Sequence, residues 1–219
     1  MSSKLILVRH GETEGNVAKR LDTRLPGAPL TELGVAQAKA LGAQLAPPVA
    51  LVSSRALRAR QTAGHLEEAT GVAVQVLDNL HEVQAGEFED RTDKEAHDIF
   101  KRVFHAWHDG DLSQHLPGGE TGQQVLDRYV PVLTELRHKY LHHNGSGTVV
   151  VVSHGAAIRL VAKTLAGVDG TFAANNHLDN TETVELIPKH GGGWECVRWA
   201  KHTPPFAPQA ARVPDDPMG

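Results

Sequence analysis

Two stretches of this sequence share one design, a short unbroken apolar run that ends in His-Gly. The first is Leu5-Ile6-Leu7-Val8 leading into Arg9-His10-Gly11, and the second is Val149-Val150-Val151-Val152 leading into Ser153-His154-Gly155. Runs of this length, rich in β-branched residues and without polar alternation, predict strands buried on both faces, as in a parallel sheet covered by helices. In open α/β sheets ligands bind in the crevice outside the carboxyl ends of the strands. If the two strands are neighbours, imidazoles 144 positions apart in the chain face one pocket.

The rest of the chain alternates in the same sense. A strand at 4–9 is followed by a Gly-, Pro- and Asp-rich loop at 21–29, and Thr31 is a natural N-cap for a helix to about residue 45. Pro47-Pro48 stops that helix, a strand follows at 50–53, and a helix over about 55–69 is closed by Thr70-Gly71. Further expectations are a strand at 72–77, a polar helix over about 93–107, a long helix over about 123–142, and a helix over 156–165 behind the second buried strand. Strands at 181–187 and 194–199 flank a Gly-rich turn at 189–193. Strand followed by helix, repeated along the chain, predicts an α/β fold: a three-layer α/β/α sandwich with a mostly parallel central sheet. One domain over 1–202 and a proline-rich tail over 203–219, extended or disordered, complete this reading.

Composition removes several functions. A chain of 219 residues, 40% hydrophobic, can bury one sizeable core. The net charge of −4 offers no basic surface for nucleic acid or an anionic membrane, and no apolar stretch approaches the roughly 20 residues of a membrane span. The N-terminus has no signal-peptide pattern, so the expected location is cytoplasmic. Cys196 is the only cysteine, which rules out an internal disulfide and a cysteine-based metal cluster. The 14 histidines would carry the formal charge from −4 toward +10 if all titrated normally on acidification.

The chemistry concentrates near the strand ends. His10 follows Arg9, so a nucleophile candidate sits beside a permanent cation; a neutral imidazole can attack phosphorus while the cation holds phosphoryl oxygens. Residues 53–63 run from a strand end into a helix carrying Arg55, Arg58 and Arg60, an anion-binding arrangement at a helix N-terminus. Arg55 and Arg58 lie within one turn of each other, and spacing alone does not choose between them. Glu82, in a loop after a strand, is a candidate acid for a leaving oxygen. His97, His105 and His108 share roughly one helical face and His138 with His142 is an i, i+4 pair, but no suitably spaced carboxylate or cysteine completes a metal site. Trp107, Trp194 and Trp199 read as core or rim residues.

These residues, taken together, resemble the histidine phosphatase superfamily, which includes the cofactor-dependent phosphoglycerate mutases. The resemblance covers about residues 4–188 and rests first on Leu7-Val8-Arg9-His10-Gly11-Glu12-Thr13 with Asn16. Pro29-Leu30-Thr31 with Gly34, Ser53-Ser54 with Arg58, Gln61-Thr62-Ala63, Leu80 with Glu82, Gly86-Glu87-Phe88-Glu89, Pro117-Gly118-Gly119-Glu120 and Val152-Ser153-His154-Gly155 follow in order. The resemblance implies a phosphoglycerate mutase-like fold, phosphorylation on His10, and Glu82 as proton donor. It further implies a phosphate cradle of Arg9, Arg58 and His154, with Asn16 in support and neither metal nor cofactor. It thereby selects Arg58 over Arg55.

Three departures bear on specificity. Asp90 stands where members commonly have glycine, Asp22-Thr23-Arg24 precedes a loop that lacks the usual Gly-x-x-Asp, and the mutase signature and longer insert after the acid glutamate are absent. The expectation is therefore a metal-independent phosphomonoesterase acting on a small phosphorylated metabolite, with a phosphoglycerate mutase-type phosphotransferase as the alternative. A second copy of the chain is a candidate partner.

Overall fold

The computed structural model describes residues 3–141 and 145–208. Six strands form one sheet in the order β3-β2-β4-β1-β5-β6, with β1 Lys4–Arg9, β2 Ala50–Ser54, β3 Val74–Leu77, β4 Thr148–Ser153, β5 Thr183–Pro188 and β6 Trp194–Trp199. β3, β2, β4 and β1 run parallel, and β5 and β6 add an antiparallel margin.

The two apolar runs account for the three layers. Along β1 and β4 alternate side chains point to opposite faces. Leu5, Leu7, Val149 and Val151 enter a core with α4 (Lys94–His108), α5 (Gly122–Tyr140), α6 (Gly155–Ala166) and α7 (Gly170–Asn175). Ile6, Val8, Val150 and Val152 enter a second core with α3 (Leu57–Thr70), against which α2 (Glu32–Gly42) packs. A strand that must be apolar on both faces shows no alternation, which is why both runs are unbroken.

Local signals hold at most boundaries. Thr31 caps α2 by accepting from Gly34 N–H, Asp93 caps α4, Thr121 closes a capping box with Gln124 on α5, and Gly71 ends α3 in the left-handed conformation. Trp107, Trp194 and Trp199 are all buried. Three short elements had no sequence signal: α1 (Glu14–Val17), a 3₁₀ turn at Gly86–Phe88, and α7. β3 begins at Val74 rather than residue 72, and α3 at Leu57 rather than 55. Residues 203–208 form no helix or strand, yet Phe206 is half-buried with its ring 5.1 Å from that of Phe172, so this part of the tail is packed. The rest of the tail, His142 and the turn residues 143–144 lie outside the described residues.

Candidate active site

β1 and β4 are hydrogen-bonded neighbours with Arg9 opposite Ser153, so both chains leave the sheet at the same level. His10 and His154 follow directly, and their ring centroids lie 5.3 Å apart. The topology has brought the paired histidines into one crevice at the carboxyl ends of the strands, where a parallel sheet places its ligands.

His10 is buried, and its Nδ1–H donates to Gly11 O at 2.7 Å. Nε2 accepts from Arg58 Nε–H at 3.1 Å. An arginine Nε can only donate, so Nε2 carries the lone pair and the imidazole is neutral. Burial, then Arg58, then Arg9 hold its pKa well below the usual value of 6.5. Gly11 permits this geometry: a Cβ there would come within 2.5 Å of Gly34 O, and its N–H donates to Thr62 Oγ1.

His154 is fully buried at the N-cap of α6, and its Nε2 pairs with Ser54 Oγ at 2.8 Å. Its pKa is also lowered, by burial first and then by Arg58 and His10. Arg9 is buried and donates through Nη1 to Leu178 O at 2.6 Å. Arg58, in the first turn of α3, is 3% exposed and donates through Nη2 to Asp22 O at 3.0 Å. Arg55 takes no part: its side chain is 61% exposed and pairs with Asp78. Asn16 sits in a capping box with Thr13, and its Oδ1 accepts from Thr13 N–H and Asn180 Nδ2.

Glu82 is buried at the open end of α6, where Oε1 accepts from Val83 N–H and Ala157 N–H at 2.8 and 2.9 Å and Oε2 from Ala156 N–H at 3.2 Å. The side chain thus caps a helix 73 residues away in sequence, where the helix dipole favours an anion. Burial nevertheless dominates and raises its pKa above 4.5, which favours the protonated form.

His10, Thr13, Asn16, Arg20, Asp22, Arg58 and Glu82 line a cavity of about 10 Å³, room for about one water molecule. All six residues expected in the site therefore lie around it or on the strand ends beside it. Arg20 and Thr13 were not foreseen as lining, whereas Asp22 opens the loop at 22–28 from which the sequence leads one to expect pocket selectivity. Asp90, another of the departures, adopts a φ of 66°, which explains why glycine suits that position.

A neutral imidazole beside a cavity, its lone pair held by a guanidinium that a phosphoryl group can draw away, with a second guanidinium, a second imidazole and a buried carboxyl nearby, can support attack on phosphorus at a histidine nitrogen. Comparison with known proteins agrees: the sequence model of the histidine phosphatase superfamily (branch 1) matches residues 5–202. The chain is 31% identical over 206 residues to the PE-PGRS family protein PE_PGRS11 of Mycobacterium tuberculosis, covering 88% of itself and 35% of that longer protein. It is 30% identical to glucosyl-3-phosphoglycerate phosphatase of M. tuberculosis, over 90% of this chain and 91% of that one. A structure of the mycobacterial glucosyl-3-phosphoglycerate phosphatase complexed with VO3 superposes with a TM-score of 0.78 at 29% identity, covering 90% and 98% of the two chains. The metal-independent phosphoserine phosphatase of Arabidopsis thaliana is 31% identical over 73% of this chain and 67% of its own length. This chain belongs to the histidine phosphatase superfamily, and it is a phosphoric monoester hydrolase. No helix among the described residues is long and apolar enough to cross a membrane.

Proposed function

We propose that the enzyme hydrolyses its ester by two displacements at phosphorus, with His10 as nucleophile and Glu82 as acid and then base. In the first, His10 Nε2 forms an N–P bond as the P–O bond to the alcohol breaks, and the Glu82 proton passes to the departing oxygen. In the second, water attacks phosphorus, Glu82 takes its proton, the N–P bond breaks, and inorganic phosphate leaves with His10 neutral and Glu82 protonated again. Arg9, Arg58 and His154 carry the charge spread over the phosphoryl oxygens, and Asn16 supports that side of the site. The observation that carries this reading is the 3.1 Å contact of Arg58 Nε with His10 Nε2, which fixes a neutral nucleophile beside a cation.

Hydrolysis is favoured over transfer to a second hydroxyl. A mutase must shield its phosphohistidine and hold a bisphosphate, whereas the segment 93–117 of this chain is polar and lacks the longer insert. Relatives at 30–31% identity over most of the chain are named as phosphatases, while a probable phosphoglycerate mutase matches at the lower identity of 26%. The test is phosphate release across sugar, glycerate, amino-acid and nucleotide monophosphates without added bisphosphoglycerate. The expected result is turnover of at least one ester about tenfold faster than exchange of 3-phosphoglycerate with 2-phosphoglycerate. Rapid exchange that needs 2,3-bisphosphoglycerate, with little phosphate released from any ester, would replace this reading with the mutase.

A further inference from the structure

The cavity beside His10 holds two carboxyl groups, and the mechanism above uses only Glu82. The other, Asp22, is held firmly. Its Oδ2 accepts from Ala28 N–H at 2.8 Å and lies 3.8 Å from Arg58 Nη1, while its backbone carbonyl accepts from Arg58 Nη2. Gly27, at φ 75°, makes room for this pair: a Cβ there would stand 2.3 Å from Arg58 Nη1 and 3.2 Å from Asp22 Oδ1. The next residue is pinned as well, since Thr23 N–H and Oγ1–H donate to Glu89, Ala85 N–H donates to Thr23 Oγ1, and Gln84 Nε2 donates to Thr23 O. Asp22 Oδ1 has no hydrogen bond among the described residues.

A phosphoryl group entering this cavity engages Arg58 and weakens the pairing that now offsets the Asp22 charge. Arg20 lines the same cavity, but its guanidinium is directed to Asp90, with Nη1 3.6 Å from Asp90 Oδ1. A carboxylate or second phosphate on the leaving group near Asp22 would set like charges together, a juxtaposition that disfavours binding when desolvated. A hydroxyl or ammonium group would instead donate to the free Oδ1. Sites built to receive a hydrogen bond from substrate discriminate strongly against analogues that cannot supply it.

We propose that Asp22 is a specificity-determining residue, and that the preferred substrate is a phosphomonoester whose alcohol carries a hydroxyl or ammonium donor, rather than a second anion, close to the ester oxygen. This rests on the phosphatase reading of the site and names its substrate class. The loop that departs from the family pattern at residues 22–24 thereby acquires a chemical role.

A matched pair of esters tests it. Glycerol 3-phosphate and 3-phosphoglycerate differ in one place, where CH₂OH stands against carboxylate. In the wild type kcat/KM for glycerol 3-phosphate should exceed that for 3-phosphoglycerate by about tenfold or more, and in Asp22→Asn the ratio should fall by about tenfold. Nitrophenyl phosphate, which has neither group, serves as reference for each protein. A wild-type ratio at or below one overturns the proposal by itself, including when the variant does not fold, and would point to Arg20 as the dominant charge. An unchanged ratio in a folded Asp22→Asn that still hydrolyses nitrophenyl phosphate overturns it equally. If the wild type releases phosphate from none of the three esters or from the wider panel, the phosphatase reading fails first and this proposal with it.

Discussion

Arg58 Nε donates to His10 Nε2 at 3.1 Å, so the lone pair that must reach phosphorus is engaged, before substrate arrives, by the cation that will later hold the phosphoryl oxygens. The contact keeps the imidazole neutral and aims it, and it must give way as the phosphoryl group enters. Arg58→Ala should lower kcat/KM by about 10²-fold or more, the scale for losing one transition-state donor. It should also change the pH profile. Arg58 is second only to burial among the causes that lower the His10 pKa. Removing it raises that pKa, so the acid limb of kcat/KM moves to higher pH, toward 6.5. A profile from pH 4 to 8 that loses rate with no displacement of that limb would count against the assignment.

His10→Ala should abolish turnover, and wild-type enzyme quenched with alkali during turnover should carry phosphate that acid releases and that is missing in the variant. Full activity in His10→Ala would refute the mechanism. Glu82 has a different signature. Its raised pKa suits a proton donor, and donation matters in proportion to the basicity of the leaving oxygen. Glu82→Gln should cost about 10²- to 10⁴-fold in kcat/KM on alkyl phosphates and far less in kcat/KM on nitrophenyl phosphate. Equal losses on both would mean that Glu82 is not the acid.

Arg128 is a positioning residue for that acid. Its Nη1 donates to Asn79 O and His81 O at 2.8 and 2.9 Å and its Nη2 to Glu82 O at 3.1 Å, while Nε and Nη2 fork onto Glu120 at 2.7 and 3.0 Å. One guanidinium thus fixes three backbone carbonyls of the loop that carries Glu82, a geometry that the point charge of lysine cannot reproduce. Arg128→Lys should lower kcat/KM, which reports the first displacement, by about 10- to 100-fold on alkyl phosphates, the cost of a misplaced catalytic group, and spare that for nitrophenyl phosphate. A uniform loss on both substrates would indicate a structural role only.

What the sequence disclosed follows the range of the interactions involved. Strand-His-Gly pairs, helix caps and the order of β and α elements are local patterns, so the sheet, its layers and the meeting of His10 with His154 could be anticipated. Arg55 and Arg58 are both in the first turn by spacing, and only packing separates a 61% exposed side chain from a 3% exposed one. The capping of α6 by Glu82 and the grip of Arg128 on residues 79–82 join segments 46 to 75 positions apart, with no periodicity to betray them. Asp22 was visible as a departure from the family pattern, but its place beside His10 depends on Gly27 and on the clamp around Thr23.

Acid stability should report on a histidine outside the site. His108 is 3% exposed, lies tilted against Phe104 with centroids 4.3 Å apart, and donates through Nδ1–H to Phe104 O at 2.9 Å. Burial above all pulls its pKa down to about 3. An unfolded chain binds this proton below about 6.5, while the folded chain does not until about pH 3. The unfolded state therefore holds the extra proton within that window. The His108 contribution is fully present above about pH 6.5 and is lost as pH falls toward 3, with a slope approaching about 1 kcal/mol per pH unit. His10 and His154, also lowered, act in the same direction, whereas the raised Glu82 acts in the opposite one as pH rises above 4.5. His108→Gln should flatten the dependence of unfolding free energy on pH between 6 and 4 by about 1 kcal/mol per unit, measured by urea titration at each pH. The variant also loses ring packing, so its stability at pH 7 will be lower, and the slope is the decisive quantity. A slope equal to that of the wild type would show that His108 does not resist protonation in the folded state.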